Sequence, residues 1–317
     1  MTLEKSVTRL LVECLGLSKG ESCLVVCDLS RKDLGRAVYN GARRLTTAVR
    51  LTIVDQPTPT GWQDHTLLEL EKEMVSHDVI LLLTGRSLSH TDARRRAVAK
   101  GARLVSMPGV TEDILLRATH LNYPEVSKRS KGLKNIFTAG ETVHVCTEAG
   151  TDVTFSIRGM EGHSEDGLYN RPGRWGNLPA GEACVGPCEG TAEGVIIVDW
   201  SMSGLGCLRE PLVITVDHGL AVKISGKQAD ILFGRLNPFG LAAFTISEFG
   251  LGTNDQAELS GIVLEDEKVL GTAHFALGNN ITFGGSVDVP IHLDGVLRYP
   301  NVTVDGKPVV EKGSLLV

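Results

Sequence analysis

Aromatic residues make up only 5% of the 317 positions, and the seven cysteines contain no C-x-x-C pair. Cys14, Cys23, Cys27, Cys146, Cys184, Cys188 and Cys207 are scattered and odd in number, which excludes a disulfide framework or a zinc knuckle and predicts buried free thiols. No charge-free apolar run approaches the roughly 18 residues that span a bilayer. Glu4, Lys5, Arg9, Glu13 and Lys19 interrupt the first twenty positions, leaving no secretory apolar segment. The expectation is a cytoplasmic protein without a membrane partner. Neither G-x-G-x-x-G nor G-x-x-x-x-G-K-[ST] occurs, so no glycine cradle for a nucleotide cofactor is expected. The basic runs Arg94-Arg95-Arg96 and Lys128-Arg129-Ser130-Lys131 lack interleaved aromatics, which argues against a nucleic-acid partner.

What is present is glycine, 36 residues of it, and an uneven charge. Residues 1–135 carry 21 basic and 15 acidic side chains, and the remainder carries 11 and 23. An acidic second half suits a cation site, although solvated surface is an equal reading. In the first half, helical patterns (Leu3–Leu15, Leu34–Leu45, His65–Met74, Thr91–Ala99, and one starting at a Thr111 cap) alternate with apolar strands at Cys23–Val26, Val49–Val54, Val79–Leu83 and Arg103–Ser106. Continuous apolar strands between helices predict a parallel sheet covered on both faces. The basic stretch Ser127–Asn135 reads as a linker. Beyond it, hairpin patterns dominate: Thr142–Ile157 around Glu148–Thr151, Val213–Ile224 around Asp217-His218-Gly219, and Val302–Val310 around Asp305-Gly306. Gln228–Leu236 reads as a helix, and Asp266–His274 as a second. The expected fold is an α/β doubly wound parallel-sheet domain over 1–135 followed by a mostly antiparallel β (α+β) domain over 136–317.

The chemistry-bearing residues gather near the C-terminus. G-T-A-H-F-A-L-G at Gly271–Gly278 and P-I-H-L-D at Pro290–Asp294 supply His274, His292 and Asp294. His-x-Asp in a strand puts both donors on one side, because side chains alternate with period two. Two imidazoles and a carboxylate suit zinc, or ferrous iron with open positions. Glu182 in N-L-P-A-G-E-A and Glu248 in T-I-S-E-F-G-L-G stand in apolar, glycine-rich surroundings, where a carboxylate is costly to bury unless paired or metal-bound. Each histidine taken singly reads more readily as a hydrogen-bonded core residue, and it is the ordered set that points to a shared ion. His144, His163 and His218 have no partner motif and read as structural or surface residues. Asn254 and Asp255 read as turn formers. Arg174, Trp175 and Asn177 could line a pocket mouth or form a surface loop.

The ordered set N-L-P-A-G-E, S-E-F-G-L-G-x-N, D-E-x-x-x-G-T-A-H-x-A-L-G and H-x-D resembles the thermophilic-type aminopeptidases of the M29 metallopeptidase family. That resemblance implies a cytoplasmic hydrolase that removes N-terminal residues from peptides or cleaves small amides. It implies divalent zinc, cobalt or manganese on Glu182, Glu248, His274, His292 and Asp294, with Glu267 and Glu248 as candidate catalytic carboxylates. It also implies a homodimer. At the position of that family's active-site tyrosine stands Ile281. The chain is also similar to the 2,5-dihydroxypyridine ring-cleaving dioxygenases on the same fold, which use one ferrous ion on two histidines and one aspartate. Their third ligand is a histidine that falls near Glu248, so Glu248 marks a departure from that iron site, and His274 could supply the second imidazole. The alternative reading is therefore a mononuclear non-haem iron ring-cleaving dioxygenase acting on a small aromatic molecule. A degenerate, non-catalytic member is a third.

Overall fold

A computed structural model describes residues 2–55, 62–89 and 91–316. The chain forms two compact units, residues 1–123 with 167–180 and residues 124–166 with 181–317. The expected boundary at 135 falls inside a helix, so the crossing lies earlier, and 167–180 return to the first unit.

The first unit is built on a five-stranded parallel sheet in the order Val49–Val54, Cys23–Asp28, Val79–Leu83, Arg103–Ser106 and Trp175–Asn177. The central strands are buried along their whole length, which is why they read as unbroken apolar runs. Leu24, Val26, Ile80, Leu82 and Leu104 pack with Leu70, Met74, Ala93 and Ala97 from two helices on one face. On the other face Gly35, in the helix Lys32–Leu45, lies against the Cys27 side chain. Thr91 and Thr111 cap their helices by accepting from the backbone N–H groups of Arg94 and Ile114. Trp175 and Asn177 belong to the edge strand, not to a surface loop. The Trp175 ring lies 3.8 Å below the Arg94 guanidinium, and the Tyr169 hydroxyl donates to the Asn177 carbonyl at 2.8 Å.

Two of the expected elements need correction. Ser127–Asn135 is the middle of the helix Tyr123–Ala139. Val126, Ser130, Leu133 and Phe137 are fully buried at helical spacing, and the basic residues that suggested a linker sit between these inward positions. The second is Asp266–His274. Its helix covers only Val263–Asp266, and after a turn the chain enters the strand Ala273–Gly278.

The second unit contains an eight-stranded sheet and a seven-stranded sheet, both antiparallel. All three expected hairpins are present in the eight-stranded sheet. The seven-stranded sheet runs Gly206–Cys207, Ser201–Met202, His292–Leu297, Ala273–Gly278, Ile246–Gly252, Glu182–Val185 and His163–Glu165. One core joins the two sheets. Its centre is aromatic: the Phe249 ring centroid lies 5.3 Å from that of Phe155, 5.0 Å from that of Phe275 and 5.9 Å from that of Phe137.

Of the cysteines, Cys14, Cys23, Cys27 and Cys184 are buried free thiols, whereas Cys146 and Cys188 are half-buried and Cys207 is exposed. Among the described residues no helix is long and apolar enough to cross a membrane.

Candidate metal centre

Strand alternation builds the site. In the seven-stranded sheet, Ala183, Val185, Phe249, Leu251, Phe275, Leu277, Leu293 and Leu297 point into the shared core. Their even-numbered neighbours Glu182, Glu248, His274, His292 and Asp294 therefore project from the opposite face. Antiparallel register brings them together, because Gly250 pairs with His274, Glu248 with Ala276, Ala276 with Asp294, Gly278 with His292 and Gly252 with Glu182. Gly250 is required here: a Cβ at that position would meet the His274 ring atoms Cε1 and Nε2.

All five residues that the metallopeptidase resemblance nominated converge. Glu248 Oε2 lies 3.0 Å from His292 Nε2, and Asp294 Oδ1 lies 3.2 Å from the same nitrogen. His274 Nε2 stands 3.6 Å from Glu248 Oε1 and 3.4 Å from Glu182 Oε2. Two groups of three can gather donor atoms within 4.8 Å of one another, Glu248–His292–Asp294 and Glu182–Glu248–His274. Metal–ligand bonds of about 2.0–2.2 Å put neighbouring donors on one ion about 3–3.5 Å apart, so the spacing fits a divalent cation.

The two imidazoles are held differently. His292 Nδ1 bonds the Asn279 carbonyl oxygen at 2.8 Å. A carbonyl only accepts, so Nδ1 carries the proton and Nε2 is directed at Glu248 and Asp294. An outer carbonyl of this kind fixes the tautomer of a metal-binding histidine. With no cation, Nε2 can offer two carboxylates a single proton, and a metal ion satisfies both. His274 Nδ1 is buried and has no hydrogen-bond partner, and neither does Glu182 Oε2.

Electrostatics follow from burial and crowding. Burial pulls the His274 imidazole down, but Glu248, Glu182 and Glu267 outweigh it and raise the group to about 9. Burial likewise opposes charge on His292, yet Asp294 and Glu248 hold it well above the ordinary histidine range. Glu248 moves the other way: burial raises it, but the two imidazoles bring it well below the usual carboxylate range. Metal binding would replace protons that these imidazoles carry.

Beside this cluster lies a buried cation that the sequence reading passed over. Lys268 is 1% exposed. Its Nζ lies 2.5 Å from Glu182 Oε1, 2.8 Å from Glu267 Oε1 and 3.4 Å from Glu165 Oε2. Burial disfavours the ammonium, but the three carboxylates raise it well above its ordinary value. Glu267 is raised by burial, partly offset by Lys268, to about 7. Lys268 and Glu165 occupied positions of D-E-K-V and H-S-E that no motif singled out; the available signal was a lysine directly after two acids and close to an apolar, glycine-bearing segment. The exposed trio Glu193, Asp217 and His218 lies where the solvated Asp217–His218 turn meets the start of the strand Glu193–Val198. His144 pairs with Asp152 at the surface, and the His163 ring packs edge-on against Phe283. Asn254 Oδ1 accepts from the Gln256 and Ala257 N–H groups, so it forms a turn.

Comparison with known proteins decides between the two families that the motifs suggested. The family model described as NicX, 2,5-dihydroxypyridine 5,6-dioxygenase, matches residues 5–317. The chain belongs to this family. A 2,5-dihydroxypyridine 5,6-dioxygenase of Pseudomonas putida is 24% identical over 307 residues, covering 88% of this chain and 86% of that protein. A solved structure of the 2,5-dihydroxypyridine dioxygenase from Pseudomonas putida KT2440 superposes with a TM-score of 0.84 at 20% identity, over 99% of this chain and 97% of the other. Wild-type AmpT from Thermus thermophilus superposes with a TM-score of 0.71 at 15% identity, over 99% of each chain. Those two likenesses show a shared two-domain fold. The hydrolase and aminopeptidase reading is overturned by the family match, which spans nearly the whole chain and names a dioxygenase. Its motifs traced the common fold and the strand positions that carry the donors, and those do not distinguish the two chemistries.

Proposed function

We propose that this protein is a metal-dependent dioxygenase that opens a dihydroxylated, pyridine-type ring with molecular oxygen. The observation that carries the reading is the Glu248–His292–Asp294 cluster within a chain matched almost end to end by the dihydroxypyridine dioxygenase family. The ion would be ferrous iron, held by Glu248, His292 and Asp294. Iron(II) supplies the one-electron chemistry that lets dioxygen react with an electron-rich ring.

The protein's own residues have definable parts. The Asn279 carbonyl holds the Nδ1–H of His292 and so keeps Nε2 available as a donor. Glu248 and Asp294 provide two negative charges, from the strands on either side of Ala273–Gly278, that would offset a dication. This set departs from the two histidines and one aspartate of the family's iron site, because Glu248 stands in place of one imidazole and His274 gathers with Glu182 and Glu248 instead of with His292 and Asp294. Three protein donors would still leave coordination positions free for other groups. His274, 3.6 Å from Glu248, orients the carboxylate oxygen that faces away from His292. A crowded, mostly buried donor set of this kind limits access by bulk water.

Anaerobic loading with iron(II), followed by addition of 2,5-dihydroxypyridine and oxygen, tests the reading. Expected are oxygen uptake of about one equivalent per ring and loss of the ring absorbance, both abolished in His292→Ala. Absence of uptake across dihydroxylated pyridines and benzenes would reject it.

A further inference from the structure

We propose that Glu189 is a positioning residue for the ion: it clamps the loop 280–287 and thereby aims the backbone carbonyl that fixes His292. The proposal rests on Glu248, His292 and Asp294 being the ion's seat.

Glu189 lies beyond the strand Glu182–Val185 and is exposed. It nevertheless gathers protein donors. Oε1 accepts from Asn280 Nδ2 at 2.9 Å and from the Ser286 N–H at 2.6 Å, and Oε2 accepts from the Ser286 hydroxyl at 2.8 Å. The Ser286 N–H foremost, then the Asn280 amide, lower this carboxyl below its ordinary range. Asn280 is 1% exposed. Its Oδ1 accepts from the Val287 N–H at 2.7 Å, which leaves the NH₂ end for Glu189. The loop closes so tightly on this side chain that a Cβ at Gly285 would meet it. Glu189 and Asn280 together therefore pin the two limbs of one loop.

That loop reaches the ion's seat through a single peptide plane. His292 Nδ1–H donates to the Asn279 carbonyl, and this carbonyl belongs to the peptide between Asn279 and Asn280. The Asn279 N–H is held by the Ile291 carbonyl at 2.8 Å, but the direction of the Asn279 oxygen also depends on rotation at Asn280. The clamp fixes Asn280 at φ −128°. The Asn279 side chain ties down the far end of the loop, donating to Asp288 Oδ1 at 2.9 Å and to the Val289 carbonyl at 3.1 Å. Phe283, carried on the loop, sets its ring centroid 5.7 Å from that of His292. Without Glu189, Asn280 is free to turn, and both the carbonyl and the Phe283 ring lose their fixed places against the imidazole.

Geometry, not charge, is what Glu189 contributes. The carboxylate is exposed, and salt and water screen it from a buried ion. Glutamine supplies the same geometry: its oxygen accepts from Asn280 and the Ser286 N–H, and its NH₂ donates to the Ser286 hydroxyl, which accepts as well as donates. Alanine supplies none of it.

The test is manganese(II) affinity, by anaerobic competition against a chromophoric chelator, on full-length wild type, Glu189→Ala, Glu189→Gln and His292→Ala, with urea unfolding of each metal-free protein. Loss of an outer partner of a metal-bound histidine costs about 10–100-fold, and Glu189 acts one step further out, so Glu189→Ala should bind about tenfold more weakly. Glu189→Gln should bind as wild type does. In cobalt(II)-loaded protein the Nδ1–H of His292 should give a shifted, slowly exchanging proton resonance, kept in Glu189→Gln and broadened away in Glu189→Ala. A clamp that served only the loop would lower unfolding stability and move neither readout. Wild-type affinity in Glu189→Ala would overturn the proposal, as would a Glu189→Gln protein as weak as the alanine variant. Should Glu189→Ala fail to fold, Ser286→Ala, which deletes the bond to Oε2 alone, decides: weaker binding with a broadened resonance supports the role, and wild-type behaviour in both overturns it. His292→Ala separates this role from the seat itself. If it binds as tightly as wild type, the seat is wrong and both readings fall; if it loses the ion while Glu189→Ala keeps it, only the role of Glu189 falls.

Discussion

Replacing Glu248 with glutamine is the sharpest probe of the centre. The carboxylate is 5% exposed and lies between two imidazoles, with Oε2 3.0 Å from His292 Nε2 and Oε1 3.6 Å from His274 Nε2. Glutamine keeps the shape and one acceptor oxygen, but it removes the charge and turns an N–H₂ group toward one ring. Loss of an outer partner of a metal ligand costs about 10–100-fold in affinity. Loss of a direct anionic donor is at least at the top of that range, so the expected weakening is about 100-fold or more, roughly 2.8 kcal/mol. The measurement is anaerobic competition for iron(II) or manganese(II) against a chromophoric chelator, with circular dichroism and urea unfolding to confirm an intact fold. A folded Glu248→Gln protein that binds within threefold of wild type would refute the assignment of the ion to Glu248, His292 and Asp294.

Other outcomes follow from the same structure. Phe249→Ala empties the middle of the aromatic core behind the metal-bearing strand and should cost about 3–5 kcal/mol in urea unfolding; a loss below about 1 kcal/mol would mean that the two sheets do not depend on this contact. Gly250→Ala forces the His274 ring aside and should cost about 1–3 kcal/mol, and an unchanged unfolding midpoint would contradict the close approach. Burial lowers His163 below its ordinary value of 6.5, so the folded state holds fewer protons than the unfolded chain there. Its contribution is present above about pH 6.5 and is lost as pH falls through the lower folded value. Relative to His163→Phe, wild type should lose stability on acidification across that window, as paired unfolding curves at two pH values would show; parallel pH profiles would refute it.

Period-two patterning made much of the second unit legible. The hairpins around Glu148–Thr151, Asp217–Gly219 and Asp305-Gly306 carry their own turn residues, and His-x-Asp in a strand places two donors on one face whatever surrounds it. The parallel sheet of the first unit was equally plain, because strands covered on both faces must be apolar throughout. The helix Tyr123–Ala139 was hidden by its basic residues, although Val126, Ser130, Leu133 and Phe137 held its inward stripe. The true end of Val263–Asp266 was also obscured, since local propensity extends a helix that tertiary pairing of His274 with Gly250 converts to strand.

The sequence by itself determined which side chains could bind a cation and that His292 and Asp294 share one side of a strand, since alternation is a property of the backbone. Only the tertiary structure decided that they meet. Register across four strands brings Glu182, Glu248, His274, His292 and Asp294 to one place from positions more than a hundred residues apart. It also decided that a lysine from the intervening turn arrives among the acids, which no spacing rule announces, because burial of a charge is set by neighbours that are remote in the chain.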